Sequence, residues 1–489
     1  MTHPALVAID LGAESCRVSL LRWTTGSSGE PETPAVSIVH RFANAPWSPD
    51  ESNPSLAPSG FRWNLDRICQ ELDHSLRACA ERAPEGIASI GVTGWAVDYV
   101  RLDAAGHPIA PPFCYRDPRT NAALEAVHRI IPADQLYART GVQIQPINTI
   151  YQLFADKLAG APSAPWVNLP EYILHWLGAP RVAEYTNATH TALVDPVTRS
   201  WSDELFAALE LDRSAAPPLV PPGTALGLIR PDLRRLPAFA QTQLIAPVCH
   251  DTASAIAGIA ISGSAPWAYI SSGTWSLIGM VLPETCRTPE AYAAGFTNLG
   301  AVGGGILFHR GLPGMWLLRQ CLSHWEHERG WSLPELIAET RCLPPPSALL
   351  DLDDPAFLPP GDMPARINAQ RRRHALPPLT YGCDAAPDYA NLIFHSLAHR
   401  YASLLADIAH ITGHRAEQIC IVGGGSRNDY LNDLTAQAAK IPIECHAVES
   451  STLGNFAVQL ARLTQPTDGI SAESVAKQAH RLAHASMLS

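Results

Sequence analysis

Residues 8–21 read Ala8-Ile9-Asp10-Leu11-Gly12-Ala13-Glu14-Ser15-Cys16-Arg17-Val18-Ser19-Leu20-Leu21, a pattern that predicts a strand, a tight turn and a second strand. Asp10 comes where the first strand ends, and Gly12 lets the backbone approach whatever occupies the turn. A hairpin tip with a carboxylate, free backbone N–H groups and the cation Arg17 suits a polyphosphate with bound Mg²⁺. The alternative is an ordinary surface hairpin, because short glycine motifs often arise by chance.

The composition is that of a globular protein with more than one core. The chain has 489 residues, of which 46% are hydrophobic, and a prior of about 150 residues per domain predicts several domains. The net charge of −11 argues against nucleic acid as the main partner. No apolar run is long enough for a membrane span, and the first strand begins too early for a signal peptide. The eleven cysteines are scattered, so we expect reduced thiols and a cytoplasmic location.

Lysine usage narrows the ways in which this chain could bind nucleotide phosphates. Lys157, Lys440 and Lys477 are the only lysines, and none of them follows a glycine-rich loop. A Walker A loop is therefore excluded, and a protein-kinase catalytic lysine is disfavoured. Any nucleotide binding by this chain needs a different architecture.

The order of strand and helix patterns predicts two α/β halves. Strands are expected at about 4–12, 16–24, 35–43 and 87–94, with a helix from about Asn64 to Glu81, and this order indicates a mixed sheet. The second half repeats the plan, with a hairpin over 267–280 and a buried strand at 418–422 that leads into a glycine turn. Proline-rich segments and a strand at 244–247 predict two domains, residues 1–243 and residues 244–489.

Asp251 is a candidate catalytic residue because it follows a predicted strand and precedes small residues typical of a helix. In that position its carboxylate could take a proton from a substrate hydroxyl as a general base. The alternative is a structural role as helix N-cap, a position that aspartate favours.

Two further segments combine aromatic, acidic and basic side chains. They are Trp95-Ala96-Val97-Asp98-Tyr99 and Tyr115-Arg116-Asp117-Pro118-Arg119-Thr120. Such mixtures suit sugars, because carboxylates and guanidinium groups bind hydroxyls and an aromatic ring covers the apolar face. The alternative is a pair of surface turns with incidental charge.

Together these segments resemble the FGGY family of carbohydrate kinases, and within it most closely the rhamnulokinases. The resemblance extends from about Leu6 to Ala461. The segments that carry it are Asp10-Leu11-Gly12-Ala13 to Arg17, Trp95 to Asp98, Tyr115-Arg116-Asp117 with Arg119-Thr120, Asn148-Thr149 with Tyr151-Gln152, Glu184-Tyr185-Thr186-Asn187-Ala188-Thr189, His250-Asp251-Thr252-Ala253-Ser254-Ala255, Ser271-Ser272-Gly273-Thr274-Trp275-Ser276, Val422-Gly423-Gly424-Gly425 and Glu449-Ser450-Ser451-Thr452-Leu453-Gly454-Asn455.

The resemblance implies an α/β fold of two actin-like, ribonuclease H-like ATPase domains whose mixed sheets flank a catalytic cleft. It implies ATP-dependent phosphorylation of a ketose hydroxyl, with L-rhamnulose as the first expected substrate and ATP and Mg²⁺ as cofactors. L-fuculose or a ketopentose remains an alternative substrate, because the sequence departs from the family pattern. Ala96 and Cys16 stand where relatives have glycine, and the residue after Asn298 is not the acidic one that is expected there. A homodimer is a family-level expectation only.

The resemblance also assigns roles to individual residues. It implies that Asp251 is the catalytic base and that Asp10 helps to place Mg²⁺. The expected ATP-contacting residues are Ala13, Glu14, Ser15, Cys16, Arg17, Thr274, Gly424 and Gly425. The expected sugar-contacting residues are Trp95, Ala96, Asp98, His250, Thr252 and Asn298.

Two other classes of function compete with a sugar kinase. A sugar sensor without catalysis would keep the binding residues, but the presence of both Asp10 and Asp251 argues against it. An actin-like or chaperone-like ATPase with a protein partner is disfavoured by the sugar-type segments between residues 95 and 152.

Overall fold

The computed structural model describes residues 4–24, 33–47, 60–261, 265–465, 469–483 and 486–488. Within these ranges, no helix has the length and apolar character needed to cross a membrane. The chain divides into two compact units. The first contains residues 1–261, 282–307 and 449–489, and the second contains residues 262–281 and 308–448.

Strands and helices are interspersed along both halves of the described chain. Up to residue 261 they are β1 (Ala5–Leu11), β2 (Ser15–Thr24), β3 (Thr33–Ala43), α1 (Leu65–Arg82), β4 (Ile87–Gly94), β5 (Tyr99–Arg101), α2 (Thr120–Ile130), α3 (Ala133–Thr140), α4 (Thr149–Leu158), β6 (Trp166–Asn168), α5 (Leu169–Trp176), β7 (Ala183–Glu184), α6 (Tyr185–Ala188), β8 (Val194–Asp195), β9 (Ser200–Trp201), α7 (Asp203–Ala208), β10 (Leu219–Val220), β11 (Thr224–Leu228), β12 (Gln243–Ala246) and α8 (Asp251–Ala257). After it they are β13 (Trp267–Ser272), β14 (Trp275–Leu282), α9 (Pro289–Ala293), β15 (Thr297–Gly300), β16 (Ile306–Pro313), α10 (Trp316–Trp325), α11 (Leu333–Arg341), α12 (Met363–Arg373), α13 (Ala386–Thr412), β17 (Gln418–Val422), α14 (Asp429–Ala439), β18 (Ile443–Cys445), α15 (Ser450–Thr464), α16 (Ala472–Ala483) and β19 (Ser486–Leu488).

The first unit is built on a seven-stranded mixed sheet with the order β11-β12-β4-β1-β2-β3-β19. Strand β1 is antiparallel to β2 and parallel to β4, and β4 is parallel to β12. The predicted mixed sheet is therefore confirmed. Because β1, β4 and β12 are parallel, their carboxyl ends meet at one edge of the sheet, which is where ligands bind in open α/β sheets.

Helix α1 shows why the local pattern predicted this unit well. Its buried residues Leu65, Ile68, Leu72 and Leu76 recur at helical spacing and pack into the core that covers the sheet. The Asn64 side chain caps the helix by accepting the N–H of Arg67. The helix ends at Arg82, within one residue of the predicted end.

The second unit has its own mixed sheet, in which β13 is antiparallel to β14 and parallel to β17, and β17 is parallel to β18. The predicted hairpin over 267–280 and the predicted strand at 418–422 both form. Helix α14 begins at Asp429 because Asn428 caps it, accepting the N–H of Leu431 at 3.1 Å.

The division into units differs from the predicted boundary after residue 243. Strand β12, which was expected to open the second domain, pairs with β4 in the first sheet. The segment from Glu449 onward also belongs to the first unit. The reason is that strand pairing and helix packing between distant segments decide membership of a unit, and proline-rich loops do not.

Candidate active site

Asp10 stands at the carboxyl end of β1 and is surrounded by donors. Its cross-strand partner in β2 is Arg17, whose Nε and Nη2 lie 2.9 and 2.5 Å from Asp10 Oδ2. The hydroxyl of Ser451 donates to the same oxygen at 2.5 Å. Among the residues that the structure describes, the one contact of Asp10 Oδ1 is a long one of 3.5 Å to the hydroxyl of Thr93. One carboxylate oxygen is thus fully engaged, and the other keeps most of its capacity as an acceptor.

Arg17 is also tied to the segment that begins α15. Its guanidinium forms an ion pair with Glu449 and donates to Ser451 at 3.2 Å. Arg41 pairs with the other oxygen of Glu449 at 3.0 Å. Sequence reasoning gave Glu449 and Ser451 no individual role, since they stand more than 400 residues after Asp10 in the chain.

The turn between β1 and β2 is compact because Gly12 has no side chain. A Cβ at this position would stand 2.4 Å from the carbonyl oxygen of Ser15. Asn44 braces the turn, since its Nδ2 donates to Gly12 O and its N–H donates to Glu14 O. Ala13, Glu14 and Ser15 remain partly or fully exposed at the tip, where a ligand can reach them.

Cys16 corrects one part of the predicted nucleotide-contacting set. Its side chain is fully buried in the core, and its backbone pairs with Leu11 on one side and Phe42 on the other. The residue is in extended strand conformation, so nothing at this position demands glycine. Burial in the apolar core raises the pKa of the thiol to about 12. The Cys16 side chain is therefore part of the core and faces no ligand.

Asp251 is the first residue of α8, and the helix is capped by His250 instead of by Asp251. The Nδ1 atom of His250 accepts the N–H of Ala253 at 3.4 Å. Because Nδ1 acts as an acceptor, a neutral His250 carries its proton on Nε2, which lies 3.3 Å from Asp251 Oδ1. The structural alternative of an Asp251 N-cap is thereby excluded, and the carboxylate is available for chemistry.

The pKa of the Asp251 carboxyl is raised to about 7. The main cause is loss of bulk water around the group, and the negative charge of Asp10 adds to it. Hydrogen bonds from Thr252 and the charge of Arg17 act in the opposite direction. About a third of the side-chain surface, 36%, is still reachable by solvent. An accessible carboxyl with a pKa near neutrality is well suited to general base catalysis.

Helices α8 and α15 pack closely against each other. A Cβ on Gly454 would come within 1.7 Å of Ser254 O, and a Cβ on Gly258 within 2.6 Å of Ser450 O. The hydroxyl of Ser254 donates to Ser451 O at 2.8 Å. The two glycines therefore allow the helix backbones to touch, and this contact links the position of Asp251 to that of Ser451.

The strand ends bring Trp95 and Ala96 close to His250. Gly94 donates its N–H to Cys249 O at 2.9 Å, and Trp95 donates its N–H to Leu11 O at 3.2 Å. The predicted base, the predicted magnesium-placing acid and the first two predicted sugar contacts are therefore grouped at one edge of the first sheet.

Asp98 is buried, and its carboxylate accepts hydrogen bonds from other protein groups. Its Oδ2 accepts the indole N–H groups of Trp63 and Trp95 at 2.6 and 3.0 Å and the backbone N–H of Tyr115 at 3.2 Å. Its Oδ1 accepts from Gln152 at 3.0 Å. Burial raises the pKa of this carboxyl to about 6, although the hydrogen bonds from these four donors act to lower it. The geometry makes Asp98 the group that orients Trp95.

Val97 has a φ of 70°, an unfavourable conformation for a β-branched residue. Its carbonyl oxygen accepts from the hydroxyl of Thr149 at 2.7 Å and from Gln152 Nε2 at 3.1 Å. These bonds hold the strained backbone between Ala96 and Asp98, and strain of this kind is concentrated at functional sites.

Asn298 is also occupied by protein partners. Its Oδ1 accepts the N–H of Cys286 at 2.7 Å, and its Nδ2 donates to the carbonyl oxygens of Gly141 and Cys286. It is 2% exposed. In this structure Asn298 joins two loops, and its amide faces protein atoms.

The second unit carries the remaining predicted nucleotide contacts. Thr274 lies at the tip of the β13–β14 hairpin, where its carbonyl oxygen accepts the N–H groups of Gly314 and Trp316. Gly425 is buried against Ser272, and a Cβ there would lie 1.9 Å from the serine hydroxyl oxygen. Gly424 is exposed, with open space where its Cβ would stand. Of these two glycines, only Gly424 leaves room for a ligand.

Whether the site suits Mg²⁺ depends on the side chains that could coordinate the ion. Among the residues described, no group of three or more His, Cys, Asp or Glu side chains could hold a metal ion. Mg²⁺ bound to a nucleotide needs only one or two carboxylates, because waters and phosphates supply its other ligands. The acceptor Oδ1 of Asp10 fits such a nucleotide-borne ion.

Both halves of the chain resemble known proteins. Residues 6–258 match the N-terminal domain of the FGGY family of carbohydrate kinases, and residues 268–463 match its C-terminal domain. A ligand-bound xylulose kinase from Lactobacillus acidophilus superposes with a TM-score of 0.73 at 15% identity, covering 98% of this chain and 92% of that one. A xylulose kinase from Rhodospirillum rubrum gives 0.73 at 16%, covering 98% and 97%, and Plasmodium falciparum glycerol kinase with ADP gives 0.71 at 14%, covering 98% and 92%. The fold is the two-domain actin-like, ribonuclease H-like type.

Proposed function

Because this chain belongs to the FGGY family of carbohydrate kinases, we propose that it phosphorylates a ketose with Asp251 as the general base. It is a phosphotransferase that transfers a phosphoryl group from ATP to an alcohol group of a carbohydrate. The observation that carries the proposed role of Asp251 is its position at the start of α8, with a raised pKa and beside Asp10 and Arg17.

In the proposed step, Asp251 accepts the proton of the sugar hydroxyl. The hydroxyl oxygen forms a bond to the γ-phosphorus of ATP while the bond from that phosphorus to the bridging oxygen breaks. The products are the sugar phosphate, ADP and a proton that leaves Asp251 for solvent. Such a reaction depends mainly on positioning and charge neutralisation, so a fixed carboxylate near neutral pKa is sufficient as base.

Each unit, taken by itself, has features that suit the phosphates of ATP. In the first, Ala13, Glu14 and Ser15 lie at the accessible tip of the β1–β2 turn, and Asp10 Oδ1 would hold the nucleotide's Mg²⁺ through water. In the second, the Thr274 hydroxyl and the open space at Gly424 are the features that suit ATP. Mg²⁺, when bound, neutralises the charge that develops on the phosphates.

We propose L-rhamnulose as the first substrate to test, on the resemblance to rhamnulokinases, with Trp95 and Ala96 beside the sugar. L-fuculose and ketopentoses are the alternatives. Two solved relatives are xylulose kinases, which supports including a ketopentose. The methyl group of Ala96 narrows the pocket relative to the glycine of rhamnulokinases and favours a substrate that is small at that point.

The test of substrate is ATP consumption by the purified protein over a panel of L-rhamnulose, L-fuculose, D-xylulose, L-ribulose, glycerol and gluconate. We expect one ketose to stimulate turnover well above the others. Turnover with no sugar on a broad panel would overturn the kinase proposal and favour a sensor.

The test of the base is Asp251→Asn. We expect kcat to fall by roughly 10²–10⁴-fold, the usual contribution of a positioned general base. Binding of ATP, followed by calorimetry, should be retained, because the amide preserves the shape of the side chain. A near wild-type rate for this variant would show that another group takes the proton.

A further inference from the structure

A pair of buried glutamates lies behind the segment that carries Asp251. Glu171 of α5 and Glu184 of β7 are both fully buried. Sequence reasoning gave neither of them a role. A buried carboxylate is costly unless donors compensate it, so the donors that surround this pair indicate what the pair does.

Glu184 directs its carboxylate at the chain just before the proposed base. Its Oε2 accepts the backbone N–H of Cys249 at 2.9 Å and the hydroxyl of Thr186 at 2.5 Å. Its Oε1 accepts the backbone N–H of Thr186 at 2.8 Å. Both oxygens of Glu184 are therefore acceptors, which is the arrangement of an ionised carboxylate.

Cys249 is thus held from two sides. Its N–H is bound by Glu184, and its carbonyl oxygen accepts the N–H of Gly94 from the end of β4. Strand β12 ends at Ala246, and beyond it an isolated parallel β-bridge between Gly94 and His250 continues the pairing with β4. This bridge and the hydrogen bond from Cys249 to Glu184 together set the path of the chain into Asp251.

Glu171 supports Glu184 in turn. Its Oε1 accepts the backbone N–H of Glu184 at 3.0 Å, and its Oε2 accepts from Asn187 Nδ2 at 2.8 Å. The other titratable groups that face the pair are Cys249 and Tyr185. In the parts of the chain that the structure describes, neither glutamate has an ion pair with a Lys, Arg or His side chain.

We propose that Glu184 is a positioning residue for phosphoryl transfer, which holds the backbone of Cys249 and thereby sets the distance from Asp251 to the substrate hydroxyl. The inference rests on the proposed role of Asp251 as the base. It adds to that role a second carboxylate that contacts neither substrate nor nucleotide. A misplacement of about 1 Å at a reacting group can lower a rate by roughly 10²-fold. Loss of one hydrogen bond that positions Asp251 can therefore lower kcat strongly.

The ionisation of the pair fits this role. Burial raises the pKa of both carboxyls, and the negative charge of Glu184 raises the pKa of Glu171 further. The donors around Glu184 Oε1 and Oε2 and around Glu171 oppose this rise by stabilising the ionised forms. Protonation of Glu184 at lower pH converts one acceptor oxygen into a donor, which weakens the bonds from Cys249 and Thr186.

The direct test is Glu184→Gln. The glutamine amide can accept at one end only, so its NH₂ faces a backbone N–H at the other end and displaces the segment. We expect kcat to fall by about 10–100-fold, with the KM for ATP within a factor of two. Thr186→Val is the milder variant, which removes one donor and leaves the carboxylate, and it should lower kcat by about two- to fivefold.

Asp354→Asn is the matched control. Asp354 is a carboxylate of the second unit with 11% of its side chain exposed; it pairs with Arg373 and accepts the backbone N–H of Ala356 and the side-chain amide of Gln370, but no donor from the segment before Asp251. The variant should lower the melting temperature with kcat within a factor of two. If Asp354→Asn and Glu184→Gln lower kcat equally, the effect is general destabilisation and the proposal fails.

A double-mutant cycle separates this inference from the proposed function. If Glu184 acts through Asp251, the rate of Asp251→Asn should fall less than twofold further when Glu184→Gln is added. Full additivity of the two losses would overturn the positioning role while leaving Asp251 as base. A near wild-type rate for Asp251→Asn alone would instead overturn the base. If Glu184→Gln does not fold, Thr186→Val takes its place in the cycle with Asp251→Asn. An unchanged kcat for Thr186→Val would then reject the proposal.

Discussion

The β1–β2 hairpin of the first unit and the β13–β14 hairpin of the second have the same plan but are stabilised differently. Around the first, Asp10, Arg17, Glu449 and Ser451 form a network of charged and polar side chains. The second has a backbone scaffold, in which Gly314 and Trp316 donate their N–H groups to the Thr274 carbonyl oxygen.

The difference shows how two similar turns can take different tasks. The charged network fixes Asp10 near Asp251, and the negative charge of Asp10 adds to the effect of burial in raising the pKa of that base, whereas the charge of Arg17 lowers it. The backbone scaffold leaves the Thr274 hydroxyl without a hydrogen-bond partner among the described residues, so it is free to bind a ligand. We therefore expect mutations in the first hairpin to change catalysis and its pH dependence, and mutations in the second to change nucleotide binding.

The largest effect is expected from Asp10→Asn. The amide offers donors to Arg17 and Ser451, which are donors themselves, and it removes the carboxylate proposed to place Mg²⁺. We expect kcat to fall by roughly 10²–10³-fold, a usual loss when one electrostatic element of a site is removed.

The pH dependence provides the control for Asp10→Asn. The wild-type rate should rise with pH through about 7, because Asp251 must lose its proton to act as a base. Removal of the Asp10 charge lowers the pKa of Asp251, so the residual activity should rise at a lower pH than in the wild type. An unshifted profile would contradict the proposed coupling of the two carboxylates.

A smaller effect is expected from Thr274→Val, which removes the hydroxyl at nearly constant volume. The KM for ATP should rise about tenfold, because a rise of that size corresponds to the free energy of one hydrogen bond to a charged group. The melting temperature should not change, since the hydroxyl has no hydrogen bond to lose within the described parts of the chain. Thr274→Ser should restore the KM, and a loss of stability in Thr274→Val would show that the hydroxyl is structural.

The smallest effect is expected from Arg41→Gln. Arg41 pairs with Glu449 at 3.0 Å, but 47% of its side chain is exposed, and exposed pairs contribute about 0–1 kcal/mol. Chemical denaturation should show a change of less than about 1 kcal/mol in the free energy of unfolding. A larger loss would mean that the charged network extends to the surface.

Local patterns predicted the elements but not their partners. The spacing of Leu65, Ile68 and Leu72 was enough to predict α1, and a small-residue run after a strand was enough to find the helix that begins at Asp251. The placement of β12 in the first sheet depends on pairing with β4, more than 140 residues earlier, and no local signal carries that information.

The same limit applies to individual site residues. The resemblance assigns Asp98 and Asn298 to the sugar, and the sequence could not show that their hydrogen-bond partners in the fold come from distant positions such as Trp63 and Gly141. Glu184 stands out in the sequence only as one member of a polar motif, since its contact with Cys249 spans 65 positions. The β1–β2 hairpin that carries Asp10 and Gly12 could be predicted from the local pattern, and the role of Asp10 in placing Mg²⁺ stays a prediction.

The return of α15 to the first sheet has a consequence for biosynthesis. Gln459 donates to Val7 O and accepts from Ser89, and a Cβ on Gly91 would collide with Asn455. The first unit therefore lacks one of its core helices until ribosomes have translated about 200 residues beyond Ile261, which takes on the order of 10–40 s at cellular elongation speeds. During that interval the β1 and β4 groups that Gln459 and Asn455 contact in the complete fold lack these partners.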